Sequence, residues 1–81
     1  MGGNPLVELL LERIAAGDAA ALDVTIAHRG APGDRRSVPG REIARVTGHA
    51  IVLLDGTELP LHRVLEVRAG DDVLWARPKV Q

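Results

Sequence analysis

The chain has 81 residues, enough for one hydrophobic core but too few for two. The chain has no cysteine, which excludes disulfides and thiolate metal sites. Its net charge of −1 argues against a generally basic surface for nucleic acid or membranes. Its opening residues lack a basic signal-peptide stretch, and the LVELLL run is too short and too acidic to span a membrane. We expect one cytoplasmic domain over residues 1–81, with flexible ends at 1–4 and 78–81.

The first predicted element is a helix over residues 5–16. Asn4 can cap its beginning, Pro5 suits the first helical position, and Gly17 suits the position just past the end. Apolar residues at helical spacing predict one buried stripe, made of Val7, Leu10, Leu11 and Ile14. The GDAAALD linker that follows has no pattern that assigns it to an element.

After the linker the apolar period changes to two, which predicts strands. Val24 and Ile26 alternate with polar residues in a strand that ends near Arg29, and the Gly/Pro-rich residues 30–34 predict a loop. The next predicted segments are a short returning strand at 35–38, a turn at 39–43, a weak strand at 44–47 and a buried strand at 50–54.

The second half of the chain predicts two hairpins. Asp55-Gly56 indicates a tight turn in which both central residues have positive φ. A continuous partner strand follows through ELPLHRVLEV, and a turn at 70–72 leads to the closing VLWARP strand. The predicted fold class is α+β, with one N-terminal helix packed on a bent antiparallel sheet of about five strands.

Two His-Arg pairs, His28-Arg29 and His62-Arg63, lie where predicted strands are interrupted. If the pairs converge, their guanidiniums can clamp the oxygens of a phosphate ester while their imidazoles donate or exchange protons near neutral pH. A histidine that prolongs an apolar row is also commonly a core residue, so a structural role stays open for His28. The loop after the first pair adds glycine amides, an acid and a further cation, from Gly30, Gly33, Asp34 and Arg35.

Arg63 raises a separate problem, because an unbroken strand would place it in the row of buried leucines. Burying an unpaired charge costs several kcal/mol. Either the strand kinks near Pro60, which cannot donate a strand hydrogen bond, or Arg63 meets a negative group there. That group would be a bound anion, Glu66 or Asp34.

Five motifs occur in a fixed order along the chain: HRGAPGD, VP with a following EI, a DGT hairpin, LPLHRVLEVR and a closing VLW. Together they resemble the RNA cyclic-group end-recognition domain family, a small family associated with RNA repair. The resemblance covers residues 5–77 and implies recognition of RNA 3′ ends that carry a 2′,3′-cyclic phosphate, alongside an RNA-repair enzyme. Matched by motif, it points to His28, Arg29, Gly30, Gly33, Asp34, His62 and Arg63.

Three functions remain open. The favoured one is a binding module that holds an RNA end without turnover. The second is a metal-independent cyclic phosphodiesterase or ribonuclease that uses His28 and His62 as general acid and base. The third is a protein-interaction adaptor in which the His-Arg pairs only hold loops.

We expect neither a cofactor nor a metal, and neither DNA nor a membrane as partner. The three histidines of the chain match no compact ligand motif, and no phosphate-binding loop or nucleophile motif is present. Trp75, the only aromatic residue, is assigned to the core, so an RNA ligand is expected to be held chiefly at its end.

Overall fold

The structure, a computed structural model, describes residues 4–77. Within that range it contains one α-helix, seven β-strands and four 3-10 turns. Flexible ends were predicted at 1–4 and 78–81, and of these positions 1–3 and 78–81 lie outside the described residues. Asn4 is described and caps the helix.

Helix α1 (Pro5–Ala15) begins at the predicted residue and ends one residue before the predicted end at position 16. The Asn4 side chain accepts a hydrogen bond from the backbone N–H of Leu6 at 2.9 Å. Gly17 has a φ of +79° just past the helix, and the next amide, of Asp18, donates to the carbonyl of Arg13 at 2.9 Å. A left-handed residue followed by this backward bond is the Schellman arrangement, which glycine adopts without steric cost.

The buried face of α1 differs from the predicted stripe. Leu6 and Leu10 are almost fully buried, whereas Leu11 is 46% exposed. Leu6 and Leu10 are four residues apart and share one side of the helix, and Leu11 lies beyond the edge of that side. No helix within residues 4–77 has the length and apolar character needed to cross a membrane.

The seven strands form two antiparallel sheets. One sheet has the order β2-β1-β6-β7 and the other has the order β3-β4-β5. The strands are β1 (Leu22–Ala27), β2 (Arg35–Pro39), β3 (Ile43–Val46), β4 (Ala50–Leu53), β5 (Glu58–Pro60), β6 (Val64–Ala69) and β7 (Asp72–Ala76). The α+β class is confirmed, although the strands divide into two sheets rather than forming one sheet of about five.

Both sheets and α1 share one hydrophobic core. In the larger sheet, Val24 lies opposite Val38 on one side and opposite Val67 on the other, so three neighbouring strands present a continuous apolar face. The remaining buried apolar residues are Leu6, Leu10, Leu22, Ile26, Ala50, Ile51, Leu53, Leu59, Leu61 and Val64.

The predicted continuous strand through ELPLHRVLEV is wrong. A 3-10 turn over Leu61–Arg63 separates β5 from β6. Because such a turn has three residues per turn, Leu61 and Val64 point to the same side and are both buried, while Arg63 is exposed. The chain therefore kinks after Pro60, which confirms the first of the two alternatives for Arg63, and the burial of Arg63 that an unbroken strand requires does not occur.

The Asp55-Gly56 hairpin is present between β4 and β5, but its turn is not the predicted one. Gly56 has a φ of +92°, and Asp55 is not among the described residues with positive φ. The amide of Gly56 donates to the carbonyl of Leu53 at 2.9 Å, and the amide of Leu53 donates to the carbonyl of Thr57 at 2.8 Å. These bonds define a three-residue loop in which only glycine is left-handed.

Candidate functional site

Arg29 and Arg63 line a common cavity of about 450 Å³ together with Ala27, and we call this the arginine cavity. The two arginines are brought together by the pairing of β1 with β6. Ile26, the next-to-last residue of β1, pairs with Val64, the first residue of β6. Residues that follow β1 and residues that precede β6 therefore meet at the same end of the sheet.

Neither cavity arginine has a carboxylate partner within residues 4–77. The ion pair that the structure contains there joins Arg68 to Glu66 at 3.1 Å, so Glu66 does not neutralise Arg63. Both cavity arginines are exposed to solvent, which keeps their guanidiniums accessible to a ligand. Each guanidinium has five N–H donors in a planar fork that fits the oxygens of a phosphate.

The loop after β1 is closed by hydrogen bonds to Asp34. The amide of His28 donates to the backbone carbonyl of Asp34 at 2.9 Å, and the amide of Gly30 donates to its carboxylate at 3.3 Å. Gly33 and Asp34 both have positive φ, at +66° and +56°. The Gly30 amide is therefore engaged within the loop, and Asp34 fixes the backbone on either side of Arg29.

Arg35 adds a third cation near the arginine cavity. It is the first residue of β2, is exposed, and lies opposite Ala27 in the sheet. Directly opposed residues in an antiparallel pair lie about 4.5–5.5 Å apart at their Cα atoms. The sheet thus places Arg35 beside a residue that lines the cavity.

His62 lines a different cavity from its neighbour Arg63. This second cavity has a volume of about 360 Å³, and we call it the tryptophan cavity. Consecutive residues of a 3-10 turn point about 120° apart, which separates His62 from Arg63. The cavity is lined by Asn4, Leu6, Gly48, His49, Leu61, His62, Trp75 and Arg77.

His49 reaches the tryptophan cavity through the loop between β3 and β4. The hydroxyl oxygen of Thr47 accepts hydrogen bonds from the amides of Ala50 at 3.0 Å and His49 at 3.3 Å, which holds this loop closed. The carbonyl of His49 accepts a bond from the amide of Leu61 at 3.0 Å. These bonds tie the loop to the Leu61–Arg63 turn and set His49 beside His62.

Arg77 completes the wall of the tryptophan cavity. Its guanidinium donates to the carbonyls of Val64 and Leu61, each at 2.9 Å, and lies 5.3 Å from the centre of the Trp75 ring. Trp75 is half-buried and packs against the core, as its assignment from the sequence implies, but it also lines the cavity. Arg77 was not predicted as a site residue from the sequence, although its position two residues after Trp75, the only Trp, Tyr or Phe of the chain, is a usable signal.

The two histidines of the His-Arg pairs do not line a common cavity among the two described. His28 lines neither, and His62 lines the tryptophan cavity. Both are exposed, so they do not have the buried position that a purely structural role predicts. Within residues 4–77 no three histidine, aspartate or glutamate side chains are grouped so that they could hold a metal ion.

Comparison with known proteins gives three related sequences. The chain is 39% identical over 41 residues to a UPF0248 protein of Archaeoglobus fulgidus, 36% over 59 residues to one of Pyrococcus abyssi, and 42% over 40 residues to one of Metallosphaera sedula. In the same order, the matched segments cover 51, 72 and 49% of this chain and 59, 69 and 51% of the relatives. The chain thus spans between about half and two thirds of the length of the curated relatives it matches.

These three names assign no ligand or reaction. No protein-family model matches the chain. No solved structure matches it either.

Proposed function

The chain belongs to the UPF0248 protein family, and we propose that it is a module that binds RNA ends carrying a 2′,3′-cyclic phosphate or a terminal phosphate. The observation that carries this proposal is the arginine cavity, where Arg29 and Arg63 meet without a carboxylate partner within residues 4–77. The resemblance of the two His-Arg motifs to the RNA cyclic-group end-recognition family supports the same ligand. An RNA-repair enzyme that acts on such ends is the expected partner.

The size and charge of the cavity suit a terminal phosphate. A volume of about 450 Å³ lies within the range of small-ligand pockets, which is about 300–1,000 Å³. Two exposed guanidiniums can each contact the non-bridging oxygens, and Arg35 adds positive charge beside them. Because the whole chain has a net charge of −1, this attraction is local to the site.

The position of the histidines favours binding over catalysis. Acid–base cleavage of a phosphodiester by two imidazoles requires both to reach groups on one phosphorus atom. His62 lines the tryptophan cavity with His49, whereas His28 lines neither cavity. Phosphate recognition by the arginines needs no such pairing of imidazoles.

The test compares two short RNAs of the same sequence, one ending in a 2′,3′-cyclic phosphate and the other in hydroxyl groups. We expect tighter binding of the cyclic-phosphate end, measured by fluorescence anisotropy. Arg29→Ala and Arg63→Ala should each weaken that binding about tenfold or more, because hydrogen bonds to charged groups are worth about 1.5–3 kcal/mol. Arg45→Ala, an exposed arginine in the smaller sheet, is the matched control and should bind as the wild type does.

Three results would contradict the proposal. Equal affinity for both RNAs, or full affinity in both arginine variants, would remove the arginine cavity as the site. In parallel, ³¹P NMR follows the cyclic phosphate resonance. Conversion to a monoester that is lost in His28→Ala and His62→Ala would assign catalysis instead of binding.

A further inference from the structure

The tryptophan cavity is not used by the proposed phosphate site and has a different chemical character. Apolar surface comes from Leu6, Leu61 and the Trp75 ring, and polar groups come from His49 and His62. Pockets that bind small molecules typically combine apolar and aromatic walls with a few polar groups that fix orientation. Its volume of about 360 Å³ falls within their size range.

Arg77 is engaged with other groups of the protein at this cavity. Its guanidinium already donates to two backbone carbonyls, of Val64 and Leu61, and lies over the Trp75 ring. The guanidinium lies over one face of the indole, and bases stack on both kinds of group. Two of its five N–H donors are occupied by the carbonyls, which leaves donors for the acceptor groups of a base.

The backbone around this cavity is held by hydrogen bonds within the protein. Thr47 closes the loop that carries His49, and the bond from the Leu61 amide to the His49 carbonyl joins that loop to the Leu61–Arg63 turn. Arg77 holds the other side of the same turn through the Leu61 carbonyl. A backbone that is already ordered reduces the entropy cost of ordering this loop on binding.

We propose that the tryptophan cavity binds a nucleobase, so that the ligand of this protein is a nucleotide end held at both its base and its phosphate. The base stacks on the outer face of the Arg77–Trp75 pair, and the ring nitrogens of His49 and His62 hydrogen-bond to its edge. This inference deepens the proposed function and rests on it for the phosphate. His62 lines the tryptophan cavity and the next residue, Arg63, lines the arginine cavity, so the two cavities lie on either side of one turn of the chain.

The experiment uses the fluorescence of Trp75, the only tryptophan in the chain and therefore an unambiguous reporter. The full chain is titrated with adenosine, with adenosine 2′,3′-cyclic monophosphate and with inorganic phosphate. We expect both adenine compounds to change the emission and the cyclic nucleotide to bind about tenfold tighter or more. Inorganic phosphate should leave the emission unchanged.

Variants identify the residues that hold each part of the ligand. His49→Ala should weaken the binding of both adenine compounds about tenfold, since it removes a hydrogen bond to the edge of the base. Arg29→Ala should remove the advantage that the cyclic phosphate adds over adenosine. Arg45→Ala is the control for a lost surface charge. His49 is exposed, so its replacement should not unfold the protein, and circular dichroism checks this.

Each other outcome overturns one proposal or both. If the cyclic nucleotide binds by calorimetry but no adenine compound alters the Trp75 emission, the base site is overturned and the phosphate site stands. If adenosine alters the emission but the cyclic phosphate adds no affinity, the base site stands and the proposed function fails. Emission that responds to inorganic phosphate as it does to adenosine makes the cavity an anion site and overturns the inference. If no ligand binds, both proposals are overturned.

Discussion

A Cβ atom built on Gly40 would overlap the backbone carbonyl oxygen of Ala19 and would lie 3.0 Å from that of Leu22. Gly40 is buried and begins the 3-10 turn that follows β2, so two backbone segments meet there without a side chain between them. Gly40→Ala forces them apart, and overpacking of this kind typically lowers the free energy of unfolding by about 1–3 kcal/mol. We expect Gly40→Ala to lower the free energy of unfolding by an amount at the upper end of that range, measured by urea denaturation.

Gly48→Ala is the matched control for this prediction. A Cβ at position 48 meets no atom within 4 Å, and its φ lies outside the left-handed region. At such a position alanine costs little or stabilises slightly, because it reduces the freedom of the unfolded chain. Equal stability of the Gly40→Ala and wild-type proteins would show that the two turns can separate freely.

Asp55 makes the stability of the protein depend on pH. The backbone amide of Thr57 donates to its carboxylate at 2.9 Å, and this bond, the Thr57 hydroxyl and the positive charge of Arg36 hold the pKa of Asp55 below its ordinary value. A lowered pKa in the folded state adds stability above the unfolded-state pKa, and that stability is lost as the pH falls through the folded-state value.

The measurement is the urea midpoint of the wild type and of Asp55→Asn between pH 6 and pH 3. Asparagine can still accept from the Thr57 amide but does not titrate. We therefore expect the wild type to lose more stability than the variant as the pH falls, with the difference concentrated at the acidic end. Parallel curves for the two proteins over this range would show that Asp55 makes no such contribution.

At the scale of elements, the β3–β4 hairpin depends on one hydroxyl group. Thr47 Oγ1 accepts from the amides of His49 and Ala50 and also donates to the carbonyl of Ala50 at 3.2 Å. Thr47→Val keeps the shape of the side chain but removes all three bonds. We expect the free energy of unfolding to fall by about 1 kcal/mol, or about 4–8 °C in Tm for a domain of this size.

Thr25→Val, at a half-buried position in the middle of β1, is the control, and it should leave the Tm nearly unchanged. An equal Tm for Thr47→Val and the wild type would mean that water replaces the lost bonds. In that case the loop would not depend on the hydroxyl for its geometry.

The elements that local signals specify are the ones that the sequence predicted well. The caps of α1 and the strands β1, β2 and β4 follow from single residues or short periods, and all appear close to their predicted positions. The stretch after Pro60 was mispredicted because its burial period changes from two to three. The buried residues Leu61 and Val64 are three positions apart because a 3-10 turn lies between them. Val64 and Val67 are also three positions apart, because the register of β6 against β1 shifts between Thr25 and Ile26.

The candidate site shows the same limit more strongly. Arg29 and Arg63 could be proposed as neighbours from chemistry, and they do line one cavity. His62, by contrast, lines the tryptophan cavity together with His49. This placement depends on the direction in which the His62 side chain leaves the 3-10 turn and on the hydrogen bond from the Leu61 amide to the His49 carbonyl. Neither is encoded in residue type or spacing, so neither could be read from the sequence.

At the scale of the whole molecule, the distribution of charge matters more than its sum. The net charge is −1, yet the segment from Arg29 to Arg45 carries five arginines against two acids. The net charge gives no general attraction for a nucleic acid strand, and the positive charge is concentrated in this one segment. Binding should depend on the end of the RNA and hardly at all on the length of the chain behind it.

This distribution leads to a quantitative expectation for salt. For single-stranded nucleic acid the slope of log K against log salt is about −0.7 for each phosphate neutralised. An end held by the arginine cavity neutralises one or two phosphates, so affinity should fall only about three- to sevenfold between 50 and 200 mM salt. The measurement is fluorescence anisotropy with two cyclic-phosphate RNAs, of about 4 and about 20 nucleotides. The shorter RNA is about the smallest that one small domain covers, and the longer one exceeds what such a domain covers. A steep slope that grows with RNA length would mean that the arginines of β2 and β3 track the backbone, and the RNA would then be held along its strand rather than at its end.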